Sequence, residues 1–223
     1  SGGTSTSLPA TSTYNATTSG TYYVNSYNGT CWSSSPKSQA VTILASPNIT
    51  ASPSTSTQTI CTGGTLTALS VTASGSGLTY QWYSNTSNSN SGGNLISSAT
   101  SSSYTPSNSV ASSLYYYCIV TGSCGATVTS NPSGLITVNI TPTITGTTSV
   151  CIGSTTQLTG SGTPNASNPW VSSNTTVATV DGTGLVTGVT AGTTTITYKN
   201  SNGCTTTTTV TVNASTAITT QPT

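Results

Sequence analysis

Six cysteines, Cys31, Cys61, Cys118, Cys124, Cys151 and Cys204, are the side chains of this sequence best equipped for chemistry. Two of them close the run LYYYCIVTGSCG (residues 114 to 125). Cysteines in such numbers serve as metal ligands, as reactive thiols or as cross-links. A structural zinc site needs a compact His/Cys set, usually with C-x-x-C spacing, and the chain has no histidine and no such pair. A reactive thiol needs a cationic neighbour to hold it as thiolate, and only Lys37 and Lys199 are cations here. Cross-linking is left, and it points to an oxidising, extracellular setting.

The remaining titratable groups exclude more. Asp181 is the only side-chain carboxylate, so neither a carboxylate pair nor a histidine is present for acid-base work, and no enzyme activity is expected. Calcium calls for several carboxylate oxygens, and nucleic acid for many Lys and Arg, so neither a metal, a cofactor nor a nucleic-acid partner is expected. No apolar run approaches the roughly 18 residues of a membrane span, and the opening SGGTSTSLPA has no signal-peptide pattern, so no membrane insertion is expected. With so little to titrate, stability should be nearly independent of pH and salt.

Those cysteines must be positioned by β-structure. Ser and Thr make up roughly two-fifths of the chain, but Val, Ile, Thr and Tyr are too abundant for disorder and favour pleated, half-buried strands. A valine-rich strand, a polar linker and a Cys followed by Gly recur in AVTILASPNITASPSTSTQTICTGG (40 to 64) and LITVNITPTITGTTSVCIG (135 to 153). A third copy opens at VTVNASTAITTQPT. The units between them have the size of immunoglobulin-like sandwiches. The organisation read from this is 1–45, the last strands of an Ig-like domain; 46–139, an Ig-like domain; 140–213, a second; and 214–223, the start of a further repeat. Within 46–139, TLTALSVTA (65 to 73) reads as one strand and LTYQWY (78 to 83) as another, with Tyr80 and Trp82 on one face and Gln81 and Tyr83 on the other. A central Trp followed by Tyr-x-Cys, here Trp82, Tyr116 and Cys118, marks this fold. The fold class expected is all-β, tandem immunoglobulin-like β-sandwiches in an extended rod.

The unit 46–139 resembles the Ig-like modules of giant cell-surface proteins of gliding bacteria, through YQWY, the spaced set Ile96, Ala99, Thr100 and Tyr104, and SCG followed by SNP. The stretch WVSSNTTVATVDGTGLVTGVTAGTTTITY (170 to 198) resembles the bacterial Ig-like group 2 signature at Trp170, Val177, Ala178, Val180, Gly184, Val186, Gly188, Ala191, Gly192 and Ile196. These resemblances imply a structural stalk or filament segment of a large exported adhesin of Bacteroidota, secreted by the type IX system and serving gliding motility. Carbohydrate binding, or a spacer role in an exported enzyme, is the alternative. Implied partners are neighbouring repeats of the same chain, surface polysaccharide or other filament chains.

Two disulfide arrangements fit an Ig-like tandem. One ties each unit internally, Cys61 to Cys124 and Cys151 to Cys204, with Cys31 paired upstream and Cys118 a buried thiol. Against it, the turn before the second strand and the final hairpin lie at opposite ends of such a sandwich, beyond the roughly 7 Å that Cα atoms allow. The other is a staple between units, Cys61 to Cys204, where the bottom of one unit meets the top of the next. Aromatics that could stack on a sugar are Trp32 and Tyr83, then Tyr14 and Tyr27, although packing explains each as well. The run TTTTTVTV (205 to 212) reads as an edge-type last strand with alternate threonines in solvent.

Overall fold

The computed structural model describes residues 15–26, 30–31 and 33–214, and all regular secondary structure among them is β. Strands β1 (Gly20–Val24) and β2 (Lys37–Val41) form an antiparallel hairpin that is exposed along most of its length. Two sandwiches follow.

In the first, one sheet runs in the order β4 (Gln58–Cys61), β12 (Ile136–Asn139), β10 (Ser112–Thr121), β7 (Thr79–Asn85) and β8 (Asn94–Leu95), with β11 (Thr127–Thr129) also on β10. Opposite it lie two short pairs, β3 (Asn48–Ala51) with β6 (Thr72–Ser74) and β5 (Leu69–Ser70) with β9 (Ser103–Tyr104). The second sandwich packs the sheet β13 (Ile144–Gly146), β15 (Thr155–Gly160), β18 (Leu185–Gly188) and β17 (Ala178–Val180) against β14 (Ser149–Cys151), β20 (Thr205–Asn213), β19 (Gly192–Lys199) and β16 (Trp170–Ser172). The fold is therefore a tandem of Ig-like β-sandwiches.

Each sandwich opens with a strand that starts on one sheet and crosses to the other, and this crossing sets the position of a cysteine. In the first unit the crossing passes through Pro53, which cannot donate to a ladder. In the second it passes through Gly146, at φ 124°, where an added Cβ would lie 2.3 Å from the carbonyl oxygen of Gln157. Each strand then lies parallel to the last strand of its unit, β4 on β12 with Cys61 opposite Asn139, and β14 on β20 with Cys151 opposite Asn213.

Alternation along the strands builds two separate cores. Leu69, Val71, Trp82, Tyr116, Cys118, Val120, Ile136 and Val138 are buried in the first, with Tyr80 packed against them. The indole N–H of Trp82 is not stranded, because it donates to the Ser101 carbonyl at 2.8 Å. The second is built on Leu158, Trp170, Ala178, Val186, Ile196, Tyr198 and Val210, with the Trp170 and Tyr198 ring centroids 4.6 Å apart. Glycine at 160 is what admits Tyr198, since a Cβ there would sit 2.4 Å from its ring.

Two strand expectations need correction. The run 65–73 is not one strand: β5 pairs β9 and β6 pairs β3, and between them Val71 turns its side chain into the core while its N–H bonds the Ser102 carbonyl. Nor is the threonine run a simple edge. Strand β20 pairs with β19 along almost its whole length and with β14 over Thr211–Asn213. Its apolar end, Val210 and Val212, belongs to the core, which draws the strand inward.

Among the described residues, four titratable groups have displaced pKa values, and burial raises that of Tyr104. Burial pushes the Tyr116 hydroxyl up to about 12, with a smaller push from Tyr104. Burial also raises the Cys118 thiol to about 11, against a hydrogen bond involving the Gln81 backbone. The exposed Asp181 carboxylate is held below its ordinary range, chiefly by the Thr183 hydroxyl and then by the backbone N–H groups of Leu185 and Thr183, which close the turn into β18. A raised pKa of this kind contributes stability that is complete below the unfolded values of 9.0 for Cys and 10.0 for Tyr. It is lost as pH rises through the folded values. Asp181 acts in the opposite sense, and its contribution disappears only in acid. Denaturant midpoints of the first sandwich are therefore expected to be flat from about pH 5 to pH 8 and to fall steeply above about pH 9. Cys118→Val should remove the earlier part of that fall; a midpoint that moves between pH 5 and 8 would contradict this picture.

Candidate functional site

The chemistry of the chain converges on the junction between the sandwiches. Cys61 ends β4, held beside Asn139 by the parallel pairing. The chain then turns sharply at Gly63, φ 82°, with the Thr62 N–H on the Asn139 carbonyl at 2.8 Å and the Gly64 N–H on the Cys61 carbonyl at 2.9 Å. This puts the Cys61 side chain at the foot of the first sandwich.

Cys204 is brought to the head of the second by the β19–β20 hairpin. Asn200 organises that turn: its Oδ1 accepts the N–H groups of Asn202 at 3.2 Å and Cys204 at 3.0 Å, and Gly203 supplies φ 82°. The Asn200 Nδ2 donates to the Ile140 carbonyl at 3.2 Å, tying the hairpin to the linker between units. Asn200 is buried, and these bonds give both polar atoms of its side chain a partner.

Cys61 and Cys204 form a disulfide, with Cα atoms 5.7 Å apart and 143 residues of separation. Around it, Thr62 and Thr141 bond reciprocally: the Thr62 Oγ1 donates to the Thr141 Oγ1 at 3.0 Å, the Thr141 Oγ1 to the Thr62 carbonyl at 3.1 Å, and the Thr141 N–H to the Thr62 Oγ1 at 3.0 Å. The units thus meet end to end through a short linker, a hydroxyl pair, an asparagine bridge and one covalent bond. A cleft of about 710 Å³ opens beside them, walled by small residues such as Ser112, Ser113, Pro142, Ser161 and Thr163. The residues lining it include neither an aromatic ring nor a charge, so it has no platform for a sugar.

Of the two arrangements left open by the sequence, the structure forms the staple. The pairings Cys61 to Cys124 and Cys151 to Cys204 are not made, because the end of β4 and the β10–β11 hairpin stand at opposite ends of the first sandwich, as β14 and Cys204 do in the second. Cys118 is a buried thiol, its Sγ turned to the Ile119 carbonyl at 3.6 Å. Cys124 and Cys151 are exposed thiols, and Cys31 is exposed in the turn between β1 and β2. Among the described residues, no group of three or more His, Cys, Asp or Glu side chains is placed to hold a metal.

Tyr83 is half-buried and stacks flat on Tyr117, with centroids 5.2 Å apart and planes 7° from parallel. One face of its ring is thereby taken. The loop before β8 closes over Tyr117, whose hydroxyl accepts the Gly93 N–H at 3.2 Å, and a Cβ at Gly93 would lie 2.9 Å from the Tyr117 ring. Trp32, Tyr14 and Tyr27 lie outside the described residues, as does 215–223 of the expected further repeat. The residues missed in the sequence are Asn200, Thr62 and Thr141. The first had a signal in Asn-x-Asn-Gly, an Asx turn ending at a glycine; the threonines had none in a chain so rich in hydroxyls.

Residues 136–219 match the family described as bacterial Ig-like domain (group 2), and residues 50–142 match a domain of unknown function (DUF8696). No curated relative matches the chain. Among solved structures, Sidekick-1 immunoglobulin domains 1-4 align at TM-score 0.37 and 16% identity, covering 91% of this chain and 60% of that one. A C-terminal fragment of intimin in complex with the translocated intimin receptor aligns at TM-score 0.40 and 20% identity, covering 77% and 64%. A Bacteroides ovatus glucan-utilisation protein, SGBP-B, with a bound mixed-linkage heptasaccharide aligns at TM-score 0.29 and 18% identity, covering 75% and 47%. The chain spans less than two thirds of each of these three. It is a tandem of Ig-like sandwiches whose C-terminal unit is similar to the group 2 bacterial Ig-like domains.

Proposed function

We propose that the chain is a load-bearing spacer, a stalk or filament segment of a large exported cell-surface adhesin. The observation that carries this reading is the Cys61–Cys204 bond at an end-to-end junction. A module that recognises a ligand needs a shaped, polar or aromatic site. A spacer needs a fixed angle between successive units, and a covalent tie beside the linker supplies it. Each unit buries its own core and touches its neighbour only at the ends, so length is gained by repetition. The disulfide favours an extracellular location. Export by the type IX route and service in gliding motility follow from the family resemblance of the sequence, and neighbouring repeats, surface polysaccharide and other filament chains are the partners of this reading.

Small-angle scattering tests it. The oxidised chain should give one narrow, elongated distance distribution, and Cys61→Ser should broaden it while leaving both sandwiches folded by circular dichroism. A distribution unchanged by the substitution would remove the rigid-spacer reading. Tight, selective binding on a glycan array, lost in Tyr83→Ala, would put carbohydrate recognition in its place.

A further inference from the structure

We infer that Cys151 is an open half of the same staple, built to bond the hairpin cysteine of a following Ig-like repeat. The inference extends the spacer reading and rests on the observed junction, so it holds whether or not the chain carries load.

Cys151 repeats the backbone setting of Cys61. Both end a strand laid parallel on the last strand of the unit, Cys61 opposite Asn139 and Cys151 opposite Asn213. Both precede a glycine of positive φ, 82° at Gly63 and 78° at Gly153. The residue after each cysteine donates its N–H to the carbonyl of that same asparagine, Thr62 to Asn139 at 2.8 Å and Ile152 to Asn213 at 3.1 Å. The cysteine carbonyl then accepts from three residues on, Gly64 at 2.9 Å and Ser154 at 3.0 Å. Two side chains held so alike present their sulfurs alike, and one of the two is in a disulfide with the next unit.

What surrounds Cys151 is the second indication. Cys61 is half-buried under the second sandwich, whereas Cys151 is exposed beside Ile152 and Val189, each 41% exposed. These side chains are neighbours, since the Gly153 N–H bonds the Gly188 carbonyl at 2.9 Å. The apolar end is thus the counterpart of a surface that is covered in the first unit. The occupant that fits is another sandwich of the second unit's build. The residues after Val212, in VTVNASTAITTQPT, repeat the pattern of ITVNITPTITG that leads from the first unit into the second.

The first sandwich's own head makes the same entry. The Ser76 N–H bonds the Ala45 carbonyl at 3.0 Å and the Ala45 N–H bonds the Ser76 Oγ at 3.1 Å. Ser161 and Thr143 repeat this pair at 2.9 and 2.8 Å. Cys124 stands apart from the inference. Its hairpin matches that of Cys204 with Gly122 in the place of Asn200 and Ala126 in the place of Cys204, so its thiol is two residues out of register.

Bond formation proceeds by exchange with a low-molecular-weight disulfide. The Cys151 thiolate attacks it, forming a mixed disulfide and releasing one thiol. The hairpin thiolate of the following unit then displaces the second thiol. Two protein thiols are oxidised, one reagent disulfide is reduced to two thiols, and the protons pass from the former to the latter. Because Cys151 lies inside the span 61–204, successive loops would overlap, and each junction of the array would be bridged.

The test is a chain in which Asn213 runs directly into a second copy of residues 140–213, refolded in a mixture of oxidised and reduced glutathione, alkylated, and mapped by peptide mass spectrometry. The expected result is the Cys61–Cys204 bond together with a bond from Cys151 to the hairpin cysteine of the added copy. Alkylation of Cys151, at least tenfold above that of Cys61 in the same molecules, would overturn the inference; so would a bond from Cys151 to Cys124.

Discussion

Trp82→Ala is expected to melt the first sandwich and leave the second folded. Trp82 is fully buried at the centre of the first core, its ring centroid 5.9 Å from that of Tyr104. Truncating a buried tryptophan costs about 3–5 kcal/mol. The substitution also strips the Ser101 carbonyl of its donor, which adds about 1 kcal/mol or more if water cannot replace it. A domain of this size has roughly 5–15 kcal/mol to lose, so the first sandwich should be marginal or unfolded at physiological temperature. The second core, on Trp170 and Tyr198, includes none of the residues of the first. Hydrogen exchange should therefore show protection lost over residues 48–139 and retained over 144–213. Loss of both together would mean that the junction couples the units into one cooperative body.

The two cores were legible because alternation is a strong signal wherever one face is buried. In TYQWY it placed Tyr80 and Trp82 on one face and Gln81 and Tyr83 on the other, and in the structure the face of Tyr80 and Trp82 is the one that meets the core. It failed at 65–73, where apolar and β-branched residues are interrupted only by Ser70 although the backbone changes partner at Val71. Pairing partners are long-range, and nothing local in ALSVTA encodes the switch. The threonine run misled for a related reason. Threonine suits both faces of a strand, so TTTTTVTV does not disclose that Val210 and Val212 enter the core and that this end of β20 pairs with β14.

The staple was legible only as one of two arrangements. Its chemistry followed from the composition, which leaves the cysteines nothing else to do. Its geometry depends on which ends of the sandwiches meet, and that depends on the parallel pairing of β4 with β12, a contact across 78 residues of chain between Cys61 and Asn139. The polar supports around it were hidden by composition, because Thr62 and Thr141 are two among dozens of equivalent threonines. Tyr83 looked available from the sequence since its cover, the Tyr117 ring, comes from β10, and nothing local in LTYQWY discloses the stacking.

The largest expected effect is mechanical. Under tension from the two ends, force enters the first sandwich through its opening strands and reaches Cys61 before any later strand. The disulfide passes it straight to Cys204 and so to β20. All the chain between them is out of the force path, whether it is folded or not. Those 143 residues, at about 3.5 Å each when extended, hold roughly 500 Å of contour. Breaking hydrogen bonds in either sandwich cannot release this length while the sulfurs remain joined, because the force needed to rupture a covalent bond far exceeds that for a ladder of backbone bonds. A spacer so built can lose structure under load without growing long.

Single-molecule force spectroscopy on the full chain, held at its two ends, tests this directly. The oxidised chain is expected to reach its extension limit roughly 500 Å short of the Cys61→Ser variant, which should unfold in two sandwich-sized steps. Reductant added to the oxidised chain under load should restore the missing length. Equal extension limits for the oxidised chain and the variant would contradict the claim that the Cys61–Cys204 bond bears the load.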